Sequence, residues 1–199
     1  MRNHFWKTLL IGAAICFIAA SGLPAQTGAD TAASSAANGI DIAVTYSTAR
    51  SNAVGGSSFW MQGGGVQVHG RIYRGLGVVG DFTGLHENNI QSSGVGLDLI
   101  TVTVGPRYTW QPAHTRYSFF GQTLVGIADG INSDFPGPLY VKSSVQSLAV
   151  KVGGGFNFVL TPHIGFRAVE ADWLRTQFPN TTNGSQSNLQ LSSGMIFRF

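Results

Sequence analysis

Asn188-Leu189-Gln190-Leu191-Ser192-Ser193-Gly194-Met195-Ile196-Phe197-Arg198-Phe199 is the stretch whose reading decides the fold. Leu189, Leu191, Met195, Phe197 and Phe199 share one parity, while Asn188, Gln190, Ser192 and Arg198 share the other. Successive side chains of a strand point to opposite faces, so this segment has one greasy, aromatic-tipped face and one polar face. Such a strand suits a barrel wall with lipid outside and a polar lumen inside. Ser193 and Ile196 depart from the pattern.

Working back from this strand, the same period of two marks eight segments: Ile40–Thr48, Ser58–Ile72, Leu76–Leu85, Leu97–Trp110, Tyr117–Ala128, Val145–Leu160, His163–Thr176 and Gln186–Phe199. The connections alternate: long at Ala49–Ser57, His86–Gly96, Asp129–Ser144 and Gln177–Ser185, short at Tyr73–Gly75, Gln111–Arg116 and Thr161–Pro162. Outer-membrane barrels have short periplasmic turns and longer outside loops, whereas nothing obliges a soluble sandwich to put its long connections at one end. The expected fold is therefore all-β, an eight-stranded antiparallel up-and-down transmembrane β-barrel over residues 40–199.

At the other end, Arg2 and Lys7 precede an apolar stretch from Thr8 to Ala20, and then Ser21, Gly22, Pro24 and Ala25. This reads as a secretory signal peptide over residues 1–25, too short at roughly 13 apolar residues for a helical span of ~20. Residues 26–39, rich in Ala, Ser and Thr, read as a flexible periplasmic leader. Cys16, the single cysteine, falls inside the apolar stretch behind Ile15, which does not fit a lipoprotein anchor. The mature chain is then free of disulfides, and a closed sheet in a membrane is one way to stabilise an exported protein without them.

Composition narrows the function classes. The formal charge of +3 falls to +1 once Arg2 and Lys7 leave, and no basic run remains to bind nucleic acid. Charged residues make up 11% of the chain, against ~25% in soluble domains, as a lipid-facing surface permits. The 27 glycines are spread through the strand segments, where a tightly curved wall needs them.

Parity assigns an outer face: Ile40, Ile42, Val44 and Tyr46; Val66 and Val68; Leu76, Val78 and Phe82; Ile100, Val102, Val104, Tyr108 and Trp110; Leu148, Val150, Val152, Phe156 and Phe158. In the fifth strand Phe119 and Phe120 compete for it. Tyr108, Trp110, Phe158 and Phe199 are expected near the short turns, and Tyr46, Trp60, Phe82 and Trp173 near the long loops, as two interfacial girdles.

The inner face collects Asp81, Arg107, Lys151, Glu170 and Asp172, with Gln67, His69, Arg71 and Gln122. A buried charge is costly unless paired, and an eight-stranded barrel is only wide enough for side chains, so these residues are expected to form a salt-bridged plug rather than line a pore. Across the Thr161-Pro162 turn, Lys151 is expected to pair with Glu170 or Asp172. Gly75-Leu76-Gly77-Val78-Val79-Gly80 spells a dinucleotide fingerprint, but it runs from a turn into a strand instead of opening a helix. No ligand spacing for a metal appears, and no cofactor is expected.

In strand count, size, signal and terminal phenylalanine, the chain resembles the small eight-stranded outer-membrane barrels, the family of the outer-membrane protein A transmembrane domain and its small virulence-related relatives. Phe166-Arg167-Ala168-Val169-Glu170-Ala171-Asp172-Trp173 is similar to that family's seventh strand, although Arg167 and Glu170 have opposite parity and need a bulge to share a face. The resemblance implies insertion by the outer-membrane assembly machinery, which in this family reads the C-terminal aromatic strand, here Met195, Phe197 and Phe199. It also implies membrane lipid and lipopolysaccharide as surroundings, with surface ligands open to the long loops. Some barrels of this membrane deacylate lipid A, which calls for a histidine followed two positions on by a serine. His163 and His114 are followed by Ile164-Gly165 and Thr115-Arg116, and both lie at short turns. The expected function is a non-catalytic structural or surface-interaction role in the bacterial outer membrane. A small channel is the alternative, ahead of a lipid A-modifying enzyme.

Overall fold

The computed structural model describes residues 39–54, 57–88, 96–135, 142–178 and 185–199; the signal peptide and nearly all of the leader read from the sequence lie outside them. The strands are β1 (Ile40–Val54), β2 (Ser57–Tyr73), β3 (Leu76–Glu87), β4 (Leu97–Trp110), β5 (Tyr117–Phe135), β6 (Lys142–Val159), β7 (Ile164–Thr176) and β8 (Gln186–Arg198). They form a closed barrel in sequence order. The seam is made by β1 and β8, antiparallel from Asp41↔Arg198 to Arg50↔Leu189, so that the closed part of the wall has no open edge.

Turn chemistry sets the near end. Tyr73 pairs with Leu76, which leaves Arg74-Gly75 as a two-residue loop with φ of 41° and 87°. That is the type I′ hairpin, whose twist matches the flanking strands, and Gly75 takes the left-handed conformation at no steric cost.

At the far end the strands run further than their alternation indicates. β1 and β2 continue to Val54 and from Ser57, so the expected long connection Ala49–Ser57 is mostly ladder. β5 likewise extends to Phe135 and β6 begins at Lys142, so only 136–141 join them. Polar and small residues above the membrane lose the period-two signal while still pairing. β5 has 19 residues against 13 in β7, an excess of about 20 Å along the strand. The strand order puts β1–β2 and β5–β6 on opposite sides of the barrel, as two raised hairpins with shorter strands between them.

The outer wall is apolar, with Val44, Val68, Val78, Val104, Val125, Ile127 and Leu148 all exposed. In β5, Phe119 faces out at 44% exposure and Phe120 faces in at 6%, which resolves the ambiguity of that strand. Trp110, Tyr117, Phe119, Phe156 and Phe158 form one connected aromatic patch near the short turns, with ring centroids 4.6–6.0 Å apart. Trp60 and Trp173 lie toward the far end as expected, but Phe82 sits at mid-wall between Val66 and Val102.

Candidate functional site

Inside the barrel three levels follow one another. Near the short turns, Asp41 accepts from Arg71 Nη2 at 3.0 and 3.2 Å, with His69 Nδ1 at 3.6 Å and Arg198 Nε at 3.9 Å. His69 and Arg71, assigned by parity to the same inner face as the charged residues, thus gather at the barrel's end around the β1–β8 seam. Toward the loops, Ala49, Phe59, Met61, Leu85, Leu97, Leu99, Ala128, Ala149, Leu174 and Phe178 pack into a buried apolar core. Parity singles out the polar residues of the inner face; the structure adds this hydrocarbon in the upper lumen, beside the buried polar Ser51, Thr176, Gln186 and Asn188.

Between these levels lies the charged belt. Asp81, Arg107, Lys151, Glu170 and Asp172 all face the lumen and are buried, and Arg167 joins them at 2% exposure. Arg167 is the member that parity missed. Phe156 pairs with Val169 while Asn157 pairs with Arg167, so Ala168 is an extra residue in β7, and the β7–β8 ladder slips by the same amount. The bulge turns Arg167 and Glu170 to the same side, where Arg167 Nη1 donates to Glu170 Oε2 at 2.6 Å. Ser193, one of the two residues that break the pattern of β8, donates its hydroxyl to the Arg167 carbonyl at 3.0 Å and so satisfies an acceptor beside the bulge. Ile196, the other, points inward and is buried.

Two glutamines connect the charges. Gln67 Oε1 accepts from Arg107 Nη2 and Arg167 Nη1, each at 2.5 Å, and Gln67 Nε2 donates to Asp81 Oδ2 and Glu170 Oε1, each at 2.8 Å. Gln122 repeats the scheme: its oxygen accepts from Arg107, and its nitrogen donates to Glu170 Oε1 at 2.7 Å and Asp172 Oδ1 at 3.0 Å. An amide offers two lone pairs and two protons, and Gln67 spends all four on ionised partners. The two guanidiniums stack on Phe120, 4.3 and 4.7 Å from its ring centroid. A Cβ on Gly155 would lie 2.7 Å from that ring, so only glycine lets Phe120 take this place.

The expected partner of Lys151 is corrected. Lys151 Nζ donates to Asp81 Oδ1 at 2.7 Å, on the far wall from its own strand. In register it lies opposite Leu174, while Asp172 faces Gly153 and Glu170 faces Gly155, so the β6–β7 neighbours of the carboxylates are glycines rather than the lysine. Lys151→Met should therefore lower the unfolding midpoint in detergent. Adding Asp81→Asn should recover part of the loss, and recovery by Asp172→Asn instead would contradict the pairing. The expected single-variant loss is about 3 kcal/mol.

The belt includes side chains from each of the six strands β2 to β7. Such an arrangement ties the wall together across the lumen, with its arginines, lysine and carboxylates turned toward one another. On the outside, Met195 and Phe197 face outward from β8 and Phe199 is 77% exposed.

A family model described as outer membrane protein beta-barrel domain matches residues 13–197. Among solved structures, Neisserial surface protein A is similar with a TM-score of 0.62 and 15% identity, over 80% of this chain and 97% of that one. The attachment invasion locus protein Ail of Yersinia pestis, solved in complex with the heparin analogue sucrose octasulfate, is similar with a TM-score of 0.55 and 17% identity, over 82% of this chain and 99% of that one. No curated protein matches the sequence.

Proposed function

Because the chain belongs to the outer membrane beta-barrel domain family and resides in the bacterial outer membrane, we propose that it is a non-conducting, non-catalytic scaffold of the envelope that presents its far rim to the surroundings. The observation that carries this reading is the belt: Gln67, Arg107, Gln122, Arg167 and Glu170 reach one another across the lumen and leave their ionised atoms buried. An ion would have to break several charge-assisted hydrogen bonds to pass, and above them it would meet the apolar core. The raised hairpins β1–β2 and β5–β6 support the surface-interaction part, because strand continued beyond the lipid serves no need of the wall. Met195, Phe197 and Phe199 serve on this reading as the strand that the assembly machinery recognises.

Reconstitution in planar bilayers tests the proposal. The wild-type barrel should give no discrete conductance steps, and a stable open level would make the small-channel reading the better one. Lipid A from a deletion strain should have unchanged masses; a shifted acyl pattern would instead identify an enzyme.

A further inference from the structure

The outer wall has a shallow groove of about 560 Å³, lined by Val44, Tyr46, Gly64, Ser193, Met195 and Phe197 among others. It crosses the seam from β8 over β1 to β2, where glycines and a serine replace the bulky residues of the neighbouring wall. Tyr46, one of its lining residues, donates its hydroxyl to Gln62 Oε1 at 2.5 Å. Beyond Tyr46 toward the rim, at the second outward position of the same strand, stands Arg50.

Arg50 pairs with Leu189 on one side and Trp60 on the other, and Leu189 pairs in turn with Trp173. One exposed row therefore reads Trp173, Leu189, Arg50, Trp60 across β7, β8, β1 and β2. Tryptophans mark the headgroup level, so Arg50 is held at the depth of lipid phosphates. Among the described residues its hydrogen-bond partner is the neutral Ser58 Oγ, at 3.1 and 2.9 Å, and no carboxylate pairs with it there. Arg175, also exposed, occupies the next outward position above Trp173, and β8 alone separates its strand from that of Arg50. On the other side of the barrel the described outward residues of β4 and β5 include Asp98, which His86 partners, and Asp129.

We propose that this strip binds one phosphorylated, acylated glycolipid of the outer leaflet, a lipopolysaccharide, with an acyl chain in the groove and a phosphate held by Arg50 and Arg175. Arginines beside tryptophans anchor membrane proteins at the headgroup level in general, and it is the hollow beneath this pair that sets the strip apart. A hollow beneath a cation fits a ligand that is hydrocarbon below and anionic above. The inference deepens the envelope role proposed above and rests on it; conductance tests that reading and lipid binding tests this one, so their failures are distinguishable.

The test is native mass spectrometry of the full barrel titrated with lipopolysaccharide or with phosphatidylglycerol. Variants are first checked for the heat-shifted folded form, and Arg50→Gln and Gly64→Ala stand in for any that do not fold. Wild type should retain lipopolysaccharide in preference to phosphatidylglycerol. Arg50→Ala with Arg175→Ala should weaken retention about tenfold, the loss expected for charged hydrogen bonds at a wet interface. Gly64→Leu, whose Cβ would meet the Thr45 carbonyl oxygen at 3.1 Å and whose side chain fills the groove, should weaken it as well once the folded form is confirmed. Arg74→Ala, which removes a charge at the opposite end, should leave it unchanged. Equal retention of the two lipids, equal losses for Arg50 and Arg74, an unaffected Gly64→Leu, or a dimer that Gly64→Leu disrupts would each overturn the proposal.

Discussion

Glu170→Ala should lower the unfolding free energy of the barrel by about 3–5 kcal/mol, the cost of leaving a buried partner charge unpaired. Glu170 is 1% exposed and accepts from Gln67, Gln122 and Arg167. Without it, two guanidiniums remain on the ring of Phe120, each lacking its nearest carboxylate. Urea titration in phospholipid vesicles, followed by the electrophoretic shift on boiling, measures the change. Glu170→Gln should fall between wild type and alanine, because it keeps acceptor capacity and loses charge. The double variant Arg167→Met, Glu170→Met should be more stable than Glu170→Ala, since replacing an ion pair by hydrocarbon costs less than breaking it. A midpoint for Glu170→Ala equal to wild type would show that the belt contributes nothing to stability.

Deleting Ala168 should abolish folding altogether. The deletion removes the extra residue that lets Arg167 and Glu170 face the same way, so one flank of β7 has to turn inside out. Either Arg167 enters lipid, at about 2–4 kcal/mol near the midplane, or Glu170 and Asp172 do, and the 2.6 Å ion pair is lost in both cases. The expected result is a chain with no heat-modifiable band after refolding. Ala168→Ser keeps the residue count and should fold with a midpoint near wild type. A folded, heat-modifiable deletion variant would show that the register of β7 adjusts elsewhere.

Where β7 could be read from sequence and where it could not shows what periodicity carries. Strand number, antiparallel order and wall polarity follow from the period of two, because lipid on one side imposes the same choice at every second residue. β4 was legible to its last residue, Leu97–Trp110. Above the membrane that constraint ends, so the continuation of β1, β2, β5 and β6 left no alternating signal. The lumen charges were legible as a set because nothing else explains ionisable residues on that parity. Their pairing was not, since Lys151 reaches Asp81 across the interior, and sequence order says little about diameters. Arg167 was hidden by a single inserted residue, although its sequence neighbour Glu170 and the odd position of Ser193 were the available signs of a bulge.

The apolar fill around Met61, Leu99, Leu174 and Phe178 separates the ion pairs from the medium as an insulating stopper would. A charge gained or lost in the loops is kept at a distance from the ionic centre by that layer, and the water and salt around the loops screen it. A substitution in those loops therefore leaves the hydrogen bonds that hold the cylinder closed untouched beneath it.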